Sequence, residues 1–263
     1  MQPMLNIAIR AARAAGNIII RHIDHIQDLL VSTKGRNDFV TEVDRQAEAI
    51  IIDTIHKAYP NHAILAEESG PQGNNDYQWI IDPLDGTTNF LHGFPQFAVS
   101  IALQHKGVLT QAVVYDPLRQ ELFTSSRGDG AYLNDRRIRV SRQKYLEGAL
   151  LGTGFPFKEQ QRFEQYLDTF RALSSLTAGI RRAGSAALDL AYVACGRLDG
   201  FWEFGLEPWD IAAGALLIEE AGGMISDISG EEDYLNVGDI LCGNPQVYKD
   251  LVKVLVAPQV STT

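Results

Sequence analysis

Apolar residues recur at steps of three and four along the first segment of the chain, which is the spacing of one helix face. The positions that carry this pattern are Leu5, Ala8, Ile9, Ala12, Ala15, Ile19, Ile23 and Ile26. They predict an amphipathic helix whose apolar stripe lies in the core. A second helix is predicted after Asp44, with apolar residues on one face from Ala47 to Ala58 and an end at Pro60. Asp44 lies in the first turn, where the helix dipole favours a carboxylate, so we expect it to cap the helix.

Two apolar runs read as buried strands, and each ends in an acid. The first is Ala63–Ala66, which precedes Glu67, and the second is Trp79–Ile81, which precedes Asp82. Pro83 has no backbone N–H to donate and favours an extended residue before it, so the second strand is predicted to end at Asp82. Two strand ends would then bring acids to one edge of a sheet, which is where open sheets bind ligands.

Strong alternation between Phe97 and Phe123 predicts a meander of antiparallel strands. Gly70–Asp76 is rich in turn residues and is predicted to be an exposed loop. Arg137–Val140 is predicted as a short strand.

The second half alternates strands with helices. Its predicted elements are a strand at Leu150–Leu151, a polar helix at Glu159–Leu173, an apolar helix from Ser185 to near Gly196, a strand at Asp199–Phe204, a helix from Pro208 to Gly222, strands at Met224–Ser226 and Asp239–Cys242, and a last helix after Asn244. Alternating elements around a central meander favour a layered α/β fold with mixed α and β structure. No linker separates the halves, about 1–145 and 146–263, so we expect one catalytic domain over residues 1–263.

Composition narrows the function classes. The 263 residues are 45% hydrophobic and 21% charged, which is typical of a globular protein. A net charge of -10 argues against direct nucleic-acid binding, because such surfaces are usually basic. Cys195 and Cys242 are the only cysteines, which favours a reducing, cytoplasmic location over a disulfide framework or a zinc cluster. Met1–Gln27 carries three arginines among its apolar residues, so neither a signal peptide nor a membrane span is expected.

Candidate chemistry is concentrated after the second acidic strand. Asp82 and Asp85 are three residues apart, and Gly86 and Thr87 follow as a close-approach backbone and a predicted helix N-cap. Carboxylates bind hard cations, and free N–H groups at a helix start bind phosphate, so the stretch predicts a metal and phosphate site. The alternative is an ordinary turn, because Asp-Pro and Asp-Gly are common turn dipeptides.

Glu67 and Asp210 extend the acidic set, with Asp210 in the first turn of its predicted helix. Clustered carboxylates repel one another unless cations neutralise them, and oxygen ligands favour Mg²⁺ or Mn²⁺ over zinc. The sequence lacks the phosphate-binding P-loop, the His-Glu-x-x-His motif and the Gly-x-Ser-x-Gly elbow. His92, the histidine nearest the acids, has no partner at a ligand spacing and is expected to be a packing or surface residue.

Two segments carry a resemblance to a known family. Residues 79–90, WIIDPLDGTTNF, resemble the first signature of the inositol monophosphatase family, and residues 208–214, PWDIAAG, resemble the second. The likeness continues through residues 37–44, 66–69, 181–190 and 222–223, and is greatest to bacterial members. It implies a five-layered αβαβα sandwich and a Mg²⁺-dependent phosphomonoesterase that is inhibited by Li⁺ and often dimeric.

The resemblance also implies roles for individual residues. The implied metal ligands, for two or three Mg²⁺ ions with Mn²⁺ as a substitute, are Glu67, Asp82, the Leu84 carbonyl, Asp85 and Asp210. Glu67 and Thr87 would position the attacking water. The implied substrate contacts are Asp85, Gly86, Thr87, Arg181, Gly184, Ser185, Ala186, Glu203 and Asp210. Lys34 and Asp44 match a region that affects a loosely held ion. For Glu203, a second interpretation is equally good: it is a solvated carboxylate in a strand and not a substrate contact.

The activity implied is hydrolysis of inositol 1-phosphate to inositol and phosphate. Fructose bisphosphatases and phosphoadenosine phosphatases share the Asp-Pro-x-Asp-Gly-Thr core, so another sugar or nucleotide phosphomonoester remains the alternative substrate. Bacterial members also resemble a participant in ribosomal-RNA transcription antitermination, which implies protein partners, a role compatible with the acidic charge.

Overall fold

The structure is a computed structural model that describes residues 2–28, 31–35, 38–156 and 160–256. The helices in these ranges are α1 (Pro3–His22), α2 (Glu42–Ala58), α3 (Thr87–Leu91), α4 (Gln160–Ser174), α5 (Ala186–Ala194), α6 (Pro208–Glu220), α7 (Tyr234–Val237) and α8 (Pro245–Val256). A 3₁₀ helix, Ile23–Asp28, follows α1. No helix in the described ranges is both long and apolar enough to span a bilayer.

Eight strands of the described chain form a large mixed sheet. Their order across the sheet is β10 (Arg136–Arg137), β9 (Gly130–Leu133), β8 (Glu121–Ser126), β7 (Val108–Asp116), β6 (Ala98–His105), β5 (Tyr77–Asp85), β3 (Ala63–Ala66) and β4 (Gly70–Gln72). The predicted meander is confirmed as β6, β7 and β8, which pair antiparallel in sequence order. β3 and β5 are parallel neighbours, so their carboxyl ends lie at the same edge.

A second sheet is built from the later part of the chain. Within the described residues its five strands are ordered β12 (Gly179–Arg181), β11 (Leu150–Thr153), β13 (Gly200–Glu203), β15 (Ile240–Gly243) and β14 (Met224–Ser226). β11 is parallel to both of its neighbours, whereas β15 is antiparallel to β13 and β14. A separate antiparallel hairpin joins β1 (Val31–Gly35) to β2 (Asp38–Thr41).

The two large sheets and the helices stack in layers. α1 and α2 cover one face of the large sheet through an apolar cluster that includes Ile19, Ile51 and Trp79. α5 and α6 fill the space between the sheets. α4 and α8 cover the outer face of the small sheet, where Tyr166 and Leu251 pack with its strands. The layers therefore follow the order α1/α2, large sheet, α5/α6, small sheet and α4/α8. This order confirms the expected αβαβα sandwich.

The strand before the acidic turn is longer than predicted, and this corrects the expectation that it ends at Asp82. β5 continues to Asp85 because Pro83 lies in a β-bulge, where two residues of β5 oppose Val99 alone on β6. A bulge leaves a residue unpaired, so the missing N–H of proline breaks no ladder hydrogen bond. The bulge also re-aims the chain between the two aspartates.

Three other boundaries differ from the predictions. The first helix ends at His22, and Ile23 and Ile26 lie in the 3₁₀ helix that follows. Gly70–Gln72 is not loop but the edge strand β4, which pairs with β3 although its composition is that of a turn. The strand expected at Arg137–Val140 is limited to Arg136–Arg137. The pairing of β4 with β3 is a tertiary contact, which local composition does not encode.

The contact between α5 and α6 depends on a glycine, and it generates a stability prediction. A Cβ on Gly214 would lie 2.4 Å from Cβ of Leu190, which is buried on the neighbouring helix. We expect Gly214→Ala to destabilise the protein by about 1–3 kcal/mol through overpacking, against a helix-propensity gain of about 0.5–1 kcal/mol. Thermal and urea unfolding measure the difference. Ala49→Ser, on the exposed face of α2, is the control and should change stability by less than about 0.5 kcal/mol; an unchanged midpoint for Gly214→Ala would contradict the close contact.

Candidate functional site

The first two acids meet because their strands are parallel neighbours. Glu67 directly follows β3, and its backbone N–H donates to the Ile81 carbonyl of β5 at 3.1 Å. Asp82 is the next residue of β5, and its Oδ1 accepts a hydrogen bond from the Leu84 N–H at 2.9 Å. The expectation that two strand ends bring acids to one sheet edge is therefore confirmed.

Asp85 is held by the start of α5, which belongs to the other half of the chain. Oδ2 of Asp85 accepts hydrogen bonds from the Ser185 hydroxyl at 2.6 Å and from the Ala187 N–H at 2.7 Å. Ser185 is also the N-cap of this helix, as predicted, because its Oγ accepts from the Leu188 N–H. Burial raises the pKa of Asp85 to about 6, although these hydrogen bonds favour the charged form.

Asp210 comes from the first turn of α6. Its Oδ2 accepts a hydrogen bond from the Glu207 N–H at 2.8 Å in a capping box, and Pro208 occupies the first helical turn. The structure thus brings Asp210 to the site while it caps its own helix.

Asp82, Asp85 and Asp210 form one acidic cluster. Each offers a carboxylate oxygen, and the three oxygens lie within 4.8 Å of one another. Burial, and then the charges of Glu67, Asp85 and Asp210, raise the pKa of Asp82 well above its usual value. Glu67 therefore acts electrostatically on Asp82 while its own oxygens lie outside the 4.8 Å set.

The cluster fits a hard divalent cation. Its donors are carboxylate oxygens, which such cations prefer, and a bound cation would offset the burial and the neighbouring charges that raise the pKa of Asp82. The Leu84 carbonyl, also predicted as a ligand, lies beside the cluster, where it is 3.1 Å from the Thr87 hydroxyl.

Thr87 has a different role from the predicted N-cap. Gly86, at φ 95°, is the N-cap of α3, and Thr87 is the first residue of the helix. The Thr87 hydroxyl lies 2.9 Å from Oδ1 of Asp44 and 3.1 Å from the Leu84 carbonyl. Only a residue without a Cβ fits at Gly86, because a Cβ there would lie 2.8 Å from the Gln96 carbonyl.

Helix α2 supports both water-positioning candidates. Asp44 forms the predicted cap, a capping box with Thr41, and its second oxygen reaches Thr87. Glu48, one turn later and buried, accepts the Glu68 N–H at 2.8 Å and so fixes the turn that carries Glu67. Sequence periodicity did not single out Glu48. The side chain of Lys34, and Asn37, lie outside the described part of the chain.

A cavity of about 160 Å³ adjoins the acidic cluster. The residues that line it are Asp85, Thr153, Gly154, Arg182, Gly184, Ser185, Ala186, Asp189, Glu203, Leu206 and Asp210. Glu203 is half-buried in this wall and is not a solvated strand residue. Burial raises the pKa of Glu203 well above its usual value, while the Arg182 charge lowers it. A Cβ on Gly154 would overlap the Glu203 carboxylate, so a side chain at this position would displace that carboxylate.

The loop before α5 is tied to α3 by an amide. Nδ2 of Asn89 donates to the carbonyls of Gln96, Ala183 and Gly184, at 2.7, 2.9 and 3.1 Å. This contact holds Gly184, at φ 88°, against the acidic turn of the first half.

Two placements differ from what the sequence suggested, and a third agrees with it. Arg181 is exposed on β12 and does not line the cavity, whereas its neighbour Arg182 does. Asp189 lines the cavity and was not predicted, because an acid one turn inside an apolar helix has no motif to identify it. His92 is exposed, in agreement with the surface alternative.

Comparisons with known proteins point to one family for the chain and its fold. The profile of the inositol monophosphatase family matches residues 1–260. The chain is 59% identical over 261 residues to Nus factor SuhB of Pseudomonas aeruginosa, covering 97% of this chain and 96% of that protein. The crystal structure of the extragenic suppressor protein suhB from Bartonella henselae superposes with a TM-score of 0.95 at 45% identity, over 98% and 100% of the two chains. The inositol monophosphatase of Anabaena (Nostoc) sp. PCC 7120 superposes with a TM-score of 0.85 at 42% identity, over 95% and 94%.

The raised pKa values of the cluster generate a prediction for metal-free protein. An acid with a raised folded pKa keeps its proton to higher pH when folded, so the folded protein binds more protons than the unfolded chain. Stability should therefore fall as pH rises from about 4 through about 6, the range between the usual pKa and that of folded Asp85. Thermal unfolding in a chelator, across this range, measures it.

Repulsion between Asp82 and the neighbouring carboxylates predicts the effect of Asp82→Asn. This variant keeps the oxygen that accepts the Leu84 N–H and removes one buried charge, so its chelator-treated form should unfold at a higher temperature than wild type at pH 7. A divalent cation should stabilise wild type, by about 2.7 kcal/mol at 100 times its Kd, and should stabilise the variant far less. Asp227→Asn is the control: hydrogen bonds hold the pKa of Asp227 below its usual value, so this change should destabilise. A lower midpoint for metal-free Asp82→Asn would contradict the repulsion.

Proposed function

The chain belongs to the inositol monophosphatase family, and on this premise we propose that it is a Mg²⁺-dependent phosphatase that hydrolyses inositol 1-phosphate to inositol and phosphate. The observation that carries the proposal is the cluster of Asp82, Asp85 and Asp210, whose oxygens lie within 4.8 Å of one another beside a polar cavity. Several acids in one place need a counter-charge, which a divalent cation supplies, and that cation can also bind the negative phosphate of a substrate.

In this proposal the metal ligands are Glu67, Asp82, the Leu84 carbonyl, Asp85 and Asp210. Bound Mg²⁺ would lower the pKa of a nearby water and stabilise negative charge on the phosphoryl and leaving oxygens. The chain lacks a motif for a covalent nucleophile, so the reaction is a direct displacement by water.

Thr87 and Glu67 orient the attacking water. The single hydroxyl proton of Thr87 points to Asp44 or to the Leu84 carbonyl, so the free lone pairs of its oxygen accept a hydrogen bond from water. The Glu67 carboxylate accepts the other water proton as the bond between water oxygen and phosphorus forms. The bond from phosphorus to the inositol oxygen breaks, and that oxygen leaves with a proton taken from solvent.

The substrate lies between the two halves. The first N–H groups of α3, at Gly86 and Thr87, have no acceptor within their own helix and face the phosphate. The polyol occupies the cavity, where Glu203 and Asp210 accept hydrogen bonds from hydroxyl groups, and the Gly184–Ala186 turn forms the opposite wall. A cavity of about 160 Å³ is smaller than the roughly 300–1,000 Å³ of sites for drug-sized ligands, which favours a small sugar-like substrate.

Both halves contribute to this site, which supports the single catalytic domain over residues 1–263.

The homodimer implied by the resemblance remains a prediction, and sedimentation of the purified protein tests it.

The substrate and cofactor are tested by phosphate release from a panel of esters. We expect kcat/KM to be highest for inositol 1-phosphate, to require Mg²⁺ with Mn²⁺ as a weaker substitute, and to fall at millimolar Li⁺. The panel includes fructose 1,6-bisphosphate and an adenosine bisphosphate, the alternative substrates. Asp85→Asn, which removes a proposed ligand, should lose at least about 100-fold in kcat. Release that persists in chelator, that ignores Li⁺ or that is faster on a bisphosphate would overturn the corresponding part of the proposal.

We propose a second function, in transcription antitermination through protein contacts, because the relative at 59% identity bears the name Nus factor SuhB. A net charge of -10 is compatible with a protein partner and unfavourable for direct RNA contact.

Asp82→Asn separates the two functions. We expect it to abolish phosphate release, because a buried metal ligand loses its charge, and to preserve antitermination on a ribosomal-RNA leader template with purified transcription proteins. Thermal unfolding serves as the folding control. Loss of both activities in a folded variant would show that the functions share the acidic cluster.

A further inference from the structure

One carboxylate in the cavity has no assigned task. Asp189 lies in the first turn of α5, is 2% exposed and lines the cavity together with Glu203. Within the described ranges of the chain, no hydrogen bond reaches its carboxylate oxygens, whereas Asp82, Asp85 and Asp210 each accept at least one. A carboxylate that is almost fully buried and faces a polar cavity without a donor is costly for a fold to retain.

The helix itself does not need Asp189. Ser185 already caps α5, since its hydroxyl oxygen accepts the Leu188 N–H. The Ala187 N–H is taken by Asp85. An exposed acid would interact equally well with the helix dipole. The dipole therefore does not explain why Asp189 is buried at the cavity wall.

Neighbouring charges define what the cavity accepts beside Asp189. Asp85, Glu203 and Asp210 line the same space, and Arg182 is its one lining cation among the described residues. Because Asp85 and Asp210 are proposed metal ligands, a group with a second negative charge, such as another phosphate, would meet Asp189 and Glu203 as the remaining acids there. Neutral hydroxyl groups, which donate hydrogen bonds, match these acceptors.

We propose that Asp189 is a specificity-determining residue that accepts a hydrogen bond from a substrate hydroxyl and so selects polyol monophosphates over bisphosphates and over esters without hydroxyl groups. This assignment rests on the proposed phosphatase function and names the substrate class of the same site. A buried acceptor that is left unpaired by the wrong substrate discriminates more strongly than an apolar wall does.

The test compares substrates within each enzyme variant. Asp189→Asn keeps the size of the side chain and removes its charge. We expect the ratio of kcat/KM for inositol 1-phosphate to kcat/KM for phenyl phosphate to fall about tenfold or more, which is the loss of one charge-assisted hydrogen bond. The ratio of inositol 1-phosphate to fructose 1,6-bisphosphate should fall as well. Asp227→Asn, a change of the same type at a buried aspartate outside the cavity, should leave both ratios unaltered.

Deoxy-inositol phosphates identify the hydroxyl. For one position, removal of the hydroxyl should lower kcat/KM in wild type and have little effect in Asp189→Asn, because the partner is already weakened. An equal loss on all esters, or no position with such coupling, would overturn the assignment.

Two further outcomes keep the assignment distinct from the proposed function. If wild type releases phosphate from no ester with Mg²⁺, the phosphatase proposal fails and this one fails with it. If wild type is active and the ratios of Asp189→Asn match wild type, only the role of Asp189 is lost. Asp189→Ser, smaller and still polar, replaces Asp189→Asn if that protein does not fold, and the same ratios decide.

Discussion

Mutual repulsion between buried carboxylates is the constraint on which the arrangement of this molecule depends. Asp82, Asp85 and Asp210 come from β5 and from α6, and their oxygens lie within 4.8 Å of one another in a setting that raises the pKa of Asp82 well above its usual value. The fold opposes this repulsion with fixed backbone donors. Asp82 accepts the Leu84 N–H, Asp85 the Ala187 N–H and Asp210 the Glu207 N–H. Each of the three acids thus has one carboxylate oxygen anchored by a backbone N–H.

Hydrogen bonds to Asp85 also join the two halves of the chain. Ser185 and Ala187 lie one hundred and more positions later, at the start of the helix layer between the two sheets. The Asn89 amide adds a second link by binding the carbonyls of Ala183 and Gly184. Since the cavity is lined from both sides of this junction, any movement of α5 relative to β5 would change the acidic cluster and the polyol wall together.

Local patterns predicted the elements better than their ends. Three- and four-residue spacing identified α1 and α2, and alternation identified the meander, because both patterns arise from the burial of one face. Pro83 misled the prediction of β5, since a proline that ends most strands is tolerated in a bulge. Gly70–Gln72 has the composition of a loop and becomes a strand only because β3 offers it a free edge.

The sequence by itself determined which acids stand at element ends, that they favour a hard cation, and, through two signatures, the family. The tertiary structure decided which residues face one another. Arg182, and not the predicted Arg181, lines the cavity, and Asp189 lines it as well. Asp44 contacts Thr87 in addition to capping α2, and Glu48 binds the turn that carries Glu67. The reason is physical: capping, turn formation and amphipathicity are short-range and leave their mark on neighbouring residues. The direction of a side chain into a shared cavity depends on the packing of helices and sheets that are far apart in the chain.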